Sequence, residues 1–243
     1  MKNGKSPLVL GVGGLLEQEE SGRIQEMLAR LQERGCIIYS VRFNTICRDG
    51  NTILCPMSNQ WVGNFTATAE AAIQDSRVDI TRIGIIASSI GATIADYAIA
   101  TTHLLSEGLG PYASISPLAR PHPDTISGIK YLMKHNLDLE VSFPHDKEKG
   151  IRRVIPHANL GNILQINTPP ELEKRSRAYN IKPLTIVGIR DDRCDTEASR
   201  ERHRVLGGSN ESLLEYEEGH GVPAELTEKP ILEFMTRELR LVN

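Results

Sequence analysis

The sequence predicts an α/β protein: a mostly parallel, doubly wound sheet of about six strands, carrying one inserted segment. Three observations predict it. Six short apolar runs rich in β-branched residues recur at residues 8–12, 36–43, 83–87, 112–116, 184–188 and 213–217. Runs that stay apolar along their length read as strands buried on both faces. Helical patterns lie between most of them, and strand–helix alternation implies right-handed crossovers and parallel pairing.

Taken in order, run 8–12 leads into the glycine turn Gly11-Val12-Gly13-Gly14. Ile24, Met27, Leu28 and Leu31 then fall at i, i+3, i+4 and i+7, which makes one apolar helical face. Gly35 follows as its stop. Run 36–43 is followed by a polar stretch, 44–64, read as a long loop that holds the only tryptophan, Trp61, as a pocket wall or a core plug. Run 83–87 enters a helix expected over 90–106, and Gly108 follows it. Residues 117–170 separate two strands by far more than one crossover and hold His122, His135, His145 and His157. A stretch of that length is expected to be an inserted cap rather than structureless loop. The core is then 1–116 with 171–243, and the cap 117–170. A helix should follow Asp195 and stop near Gly207-Gly208. A last one should start near Thr227, with Pro230 in its first turn and Ile231, Phe234 and Met235 on one face.

Composition bounds the function. The chain has 243 residues, 40% hydrophobic and 24% charged, enough for a core without disulfides or metal. A net charge of −3 leaves no basic footprint for nucleic acid. Apolar runs such as 83–87 fall far short of the ~20 residues that span a bilayer. The N-terminus enters a glycine turn directly, unlike a signal peptide. A cytoplasmic protein is expected. Cys36, Cys47, Cys55 and Cys194 contain no CxxC; Cys47 and Cys55 either pair or stay free thiols, as the others should. The cap histidines form no HxxxH and have no cysteine nearby, so no metal is expected. No cofactor is expected either. Gly11-Val12-Gly13 begins a dinucleotide loop, but Leu16 stands where its third glycine belongs and no acid follows the second strand.

In doubly wound sheets chemistry sits at the carboxyl ends of the strands. Three such ends carry candidates. Ala87-Ser88-Ser89-Ile90-Gly91 places small residues two either side of Ser89, between a strand and a helix. That spacing suits a tight turn that lifts a serine hydroxyl to a helix N-terminus. The plainer reading is that Ser88-Ser89 caps the helix. Asp191 stands three residues past Gly188, with Asp192 beside it as an alternative acid. His220, between Gly219 and Gly221, follows the last strand. A weak serine nucleophile needs a base, and the base an orienting acid. Amide donors for an oxyanion are expected at Ile90 and, from the glycine turn, at Val12 or Gly13.

The chain resembles the α/β-hydrolase superfamily over nearly its whole length, on residues 10–14, 87–91, 188–191 and 219–221. The resemblance implies Ser89 as nucleophile, His220 as general base and Asp191 as acid, with 117–170 as the cap after the family's sixth strand. Leu10-Gly11 stands where the family often has His-Gly, and Ala87 replaces the first elbow glycine. The family's two leading antiparallel strands are expected to be absent. The implied activity is a serine hydrolase cleaving a carboxylic ester of a small molecule. The alternatives are a thioesterase or peptidase with the same triad, or a silent ligand-binding member. Aromatic residues at 5% do not suggest an aromatic-lined lipid tunnel. Arg152-Arg153 and Lys147/Lys149 are either a solvated face or a contact for an acidic substrate. The terminal helix either serves a homodimer or only covers the sheet.

Overall fold

The computed structural model describes residues 4–14, 23–41, 46–47, 52–54, 60–141, 150 and 152–241. Leu16, Cys55, His145, Lys147 and Lys149 lie outside the described residues, as does the side chain of Cys47.

Six strands form the main sheet: β1 (Ser6–Val12), β2 (Ile37–Val41), β5 (Val78–Ser88), β6 (Leu109–Ile115), β9 (Lys182–Gly188) and β10 (Leu213–Tyr216). Their spatial order is β10-β9-β6-β5-β1-β2, and every neighbouring pair is parallel. The chain leaves β1 to one side for β2 and returns on the other side for β5. The order therefore reverses between β1 and β5, and the crevice above that reversal is where such sheets take ligands. Strand register keeps the carboxyl ends level. Val12 lies opposite Ala87, Ile115 opposite Ser88, and Tyr216 opposite Gly188.

Helices cover both faces, each over its own apolar cluster. On one face, Ile24, Met27, Leu28 and Leu31 of α1 (Arg23–Glu33) pack with Ile231, Phe234 and Met235 of α8 (Ala224–Glu238). The other face is covered by α2 (Gln60–Gln74) and α3 (Ile90–Thr101). Nearly every position of α3 is buried, which matches its Ala/Ile composition.

Several boundaries differ from expectation. The first strand pair and α1 sit where the pattern puts them, and Gly35 takes φ 89° just after the helix. The helix expected over 90–106 stops at Thr101: Thr102 turns to extended backbone (φ −120°, ψ 160°) while its amide still donates to the Ala98 carbonyl. The last helix starts one turn early, at Ala224, so Pro230 is interior. Pro230 has no N–H for the Leu226 carbonyl; the Tyr216 hydroxyl donates to that oxygen instead, at 3.2 Å. Stretch 44–64 is more than a loop. Short strands β3 (Ile46–Cys47) and β4 (Thr52–Leu54) join β7 (Leu139–Val141) and β8 (Arg152–Ile155) in a second sheet, β3-β4-β8-β7. Trp61 opens α2 and, at 2% exposure, is a core residue. Helices α4 (Pro123–Lys134), α5 (His157–Leu164) and α6 (Leu172–Tyr179) follow β6, and α7 (Thr196–Val205) follows β9 with Asp195 as its N-cap.

Acid sensitivity follows from the buried and paired titratable groups. The His203 imidazole is buried, which lowers its pKa and keeps it neutral between the Thr185 hydroxyl and the Ser209 carbonyl. Unfolded histidine takes a proton near pH ~6.5, so stability should fall once pH drops below that value. Asp195 and Asp191 are pushed up by burial, but hydrogen bonds and opposite charge outweigh this and hold both below the usual carboxylate range. Their contribution is present above pH ~4 and is lost as pH falls through their folded values. Thermal melts should therefore show two successive losses, below about 6.5 and below about 4. His203→Gln should remove the first. A melting temperature flat from pH 7 to pH 5 in the parent chain would contradict this account of His203.

Candidate active site

β5 is apolar from Ile83 to Ala87 and ends at Ser88, and α3 begins at Ile90, so Ser89 alone makes the reversal. It sits at φ 46°, ψ −123°, a conformation that costs a non-glycine residue on the order of 1–3 kcal/mol. The surroundings impose it. The Ser89 amide donates to the Ile115 carbonyl at 2.9 Å, and its carbonyl accepts from the Ala92 and Leu118 amides. A Cβ at Gly91 would collide with the carbonyl oxygens of Val12 and Gly13. Sequence spacing left open whether Ser89 is only a helix cap. Its side chain makes no capping hydrogen bond; its Oγ lies 2.9 Å from His220 Nε2.

The other two candidates are positioned by backbone contacts between β9 and β10. The Ile189 amide donates to the Tyr216 carbonyl and the Arg190 amide to the Glu218 carbonyl, both at 2.9 Å. Gly188 is pressed so close to the histidine loop that a Cβ would meet the Glu218 and Gly219 carbonyl oxygens. This contact brings Asp191 Oδ2 to 2.8 Å from His220 Nδ1. Asp191 Oδ1 accepts the amides of Arg193 and Cys194, each at 2.9 Å. Burial works against the Asp191 charge, but the His220 bond and charge and these two amides outweigh it, so its pKa stays below the ordinary value. Asp192 is exposed, and its carbonyl accepts from the Thr125 hydroxyl. Of the two acids, Asp191 is the one at the imidazole.

The remaining candidates flank Ser89. Ile90 is the first residue of α3, where amides lack intrahelical acceptors. Val12 ends β1 and Gly13 follows it, with both carbonyls against Gly91. The neighbouring Gly14 amide donates to Ser88 Oγ at 2.9 Å, which ties the glycine turn to the serine turn. Ser88 and Gly14 were invisible in this role from sequence, because the bond joins residues 74 positions apart.

One contact was missed outright. Cys194 Sγ lies 3.3 Å from His220 Nδ1 and 3.8 Å from the Ser116 carbonyl oxygen. Its placement three residues after Asp191 was the available signal. The chain leaving β6 is also stitched to this loop. Pro121 bridges Cys194, the His122 amide donates to the Arg193 carbonyl, and Arg120 pairs with Asp195 at 2.6 Å.

No protein-family model and no curated protein matches this sequence. Solved structures do match. Est1E from Butyrivibrio proteoclasticus superposes with TM-score 0.66 at 17% identity, over 98% of this chain and 90% of that one. A monoacylglycerol lipase from Paleococcus ferrophilus gives 0.65 at 16%, over 96% of each chain. A soluble variant of the Saccharomyces cerevisiae monoglyceride lipase gives 0.63 at 12%, over 99% and 89%.

This chain has the α/β-hydrolase fold.

The α/β-hydrolase sheet here is the six parallel strands already described, with Ser89, Asp191 and His220 each just past the carboxyl end of a different strand. No helix among the described residues is long and apolar enough to cross a membrane. Gly188→Ala tests how the site is held. The added methyl must push the His220 loop away from Asp191, and a shift of about 1 Å can cost ~10²-fold in turnover. In the hydrolase activity proposed below, kcat should fall by about that factor with KM nearly unchanged; unchanged kcat would mean the close approach does not position His220.

Proposed function

We propose that the chain is a serine hydrolase that cleaves a carboxylic ester of a small molecule through an acyl-enzyme on Ser89. The observation that carries this reading is the unbroken chain of hydrogen bonds from Ser89 Oγ to His220 Nε2 (2.9 Å) and from His220 Nδ1 to Asp191 Oδ2 (2.8 Å). The monoglyceride and monoacylglycerol lipases among the structural neighbours support an ester as substrate.

In this mechanism Ser89 Oγ attacks the ester carbonyl carbon while His220 Nε2 takes its proton. Asp191, held ionised, keeps the Nδ1 proton in place and stabilises the imidazolium. The oxyanion is met by the amides of Ile90 and of Val12 or Gly13, and one such donor is worth ~10²–10³ in turnover. His220 then hands its proton to the leaving alcohol. Water, activated the same way, releases the acid. Residues 117–170 act as the cap, and through Arg120, Pro121 and His122 they are anchored on the loop that carries Asp191.

Fluorophosphonate labelling with intact-mass analysis tests the nucleophile, and a series of short p-nitrophenyl esters, thioesters and anilides tests the bond. One adduct per chain with turnover of the esters is the expected result. No adduct and no turnover would remove the proposal.

A further inference from the structure

We propose that Asp191, Cys194 and His220 form a site for a thiophilic divalent cation, with zinc as its type, and that occupancy blocks the serine chemistry. The site rests on side-chain placement alone; only the block rests on the function proposed above. The three residues can each present one ligand atom, and these atoms lie within 4.8 Å of one another. Cys194 Sγ and Asp191 Oδ2 lie 3.3 and 2.8 Å from the same nitrogen, His220 Nδ1. Zinc bonds of ~2.0–2.3 Å place tetrahedral ligand atoms about 3.3–3.6 Å apart. The two pairs at His220 Nδ1 therefore have to open by about 0.3–0.5 Å, and the Cys194 Sγ–Asp191 Oδ2 pair, within 4.8 Å, has to settle into the same range. A thiolate, an imidazole and a carboxylate together suit zinc or cadmium and not magnesium or calcium.

The ligands are also held in place. Asp191 Oδ1 keeps its two amide bonds while Oδ2 turns to the metal. Cys194 is fixed by its amide bond to Asp191 and by its bridge to Pro121. Cys194 is 2% exposed, whereas the His220 side chain keeps 18%, so the ion enters past the imidazole.

Two protons move on binding. The Cys194 thiol loses its proton to solvent as the metal–sulfur bond forms. The metal takes Nδ1, so the proton there leaves and one appears on Nε2. The net release is one proton per ion. Nε2 now carries a hydrogen and can no longer accept one from Ser89. The ion thereby inhibits by fixing the wrong tautomer, without touching the serine.

Cobalt(II) is the probe, because a thiolate ligand gives a near-ultraviolet charge-transfer band and tetrahedral geometry gives intense visible bands. The full chain should bind one cobalt with both signals. Ser89→Ala should keep them. Cys194→Ala and Cys194→Ser, each checked for a parent-like melt, should lose the charge-transfer band and bind at least ~100-fold more weakly. Zinc should stop both ester turnover and fluorophosphonate labelling, and EDTA should restore them. A charge-transfer band that survives in both Cys194 variants, or none in the parent, overturns the site even if the parent labels and turns over. A Cys194-dependent band in a chain that never labels leaves the site standing and removes the hydrolase reading instead.

Discussion

Ser89→Ala is expected to lower ester turnover by on the order of 10⁴–10⁶ and to abolish the fluorophosphonate adduct. The size follows from cooperation. In the proposed mechanism Ser89, His220 and Asp191 work as one hydrogen-bonded unit, so deleting the nucleophile costs nearly as much as deleting all three. His220→Ala should match it, and Ser89→Ala/His220→Ala should add little further loss. Asp191→Asn should cost ~10⁴, because an amide in place of the carboxylate favours the wrong imidazole tautomer. Stability should barely move in Ser89→Ala. Backbone bonds to Ile115, Ala92 and Leu118 hold the turn, and alanine inherits the same φ of 46°. Steady-state kinetics, intact mass and a thermal melt on the same preparations check all of this. A Ser89→Ala protein that keeps a tenth of parental kcat would remove Ser89 as the nucleophile.

Asp96→Ala is expected to be the most destabilising single change away from the site, at about 3–5 kcal/mol. Asp96 on α3 and Arg202 on α7 are 1% and 0% exposed. They form a two-pronged pair, Nε to Oδ2 at 2.6 Å and an Nη to Oδ1 at 2.8 Å. The Tyr112 hydroxyl shares its one proton between Asp96 Oδ1 and the Ala92 carbonyl, each at 2.9 Å, while Arg202 donates to Ser114 Oγ and stacks 4.9 Å over the Tyr112 ring. Burial disfavours both charges, and at Arg202 the attraction of Asp96 outweighs it and keeps the guanidinium charged. Removing Asp96 strands a buried cation. At 2–4 °C per kcal/mol for a chain of this size, the melting temperature should drop by ~6–20 °C. The double change Asp96→Leu/Arg202→Met should be milder than either single change, because it removes both charges and keeps the volume. Calorimetry on Asp96→Ala, Arg202→Met and the double variant decides. A double variant as unstable as Asp96→Ala would mean the pair's attraction, and not a stranded charge, sets the cost.

How much of this was legible beforehand depends on the range of each signal. The six strands were readable because continuous apolar runs report burial on both sheet faces, and the α1 face because its 3.6-residue period is local. The serine turn was readable from Ala87 and Gly91, whose smallness the turn requires, and the carbonyls of Val12 and Gly13 now give the reason at Gly91. The second sheet was not readable. Its strands are two to four residues long, and β4 pairs with β8 about a hundred positions later, so no window contained both partners. Helices α2 and α6 were missed between stronger signals. Pro230 was placed in a first turn because only the fold supplies Tyr216 as the substitute donor for Leu226.

By itself the sequence determined the layered class of the protein, the order of its main strands along the chain, and which residue types stand past their ends. Burial and turn chemistry act over a few residues, and these features are written at that range. The tertiary structure decided the rest: that Asp191 and not Asp192 meets the imidazole, that Ser89 reaches His220 across 131 positions, and that Cys194 sits against the same ring. Those outcomes depend on strand order and on close backbone approaches at Gly91 and Gly188, which exist only once the sheet has assembled. A hydrogen bond needs placement to a few tenths of an ångström, and only a packed core holds distant loops to that tolerance.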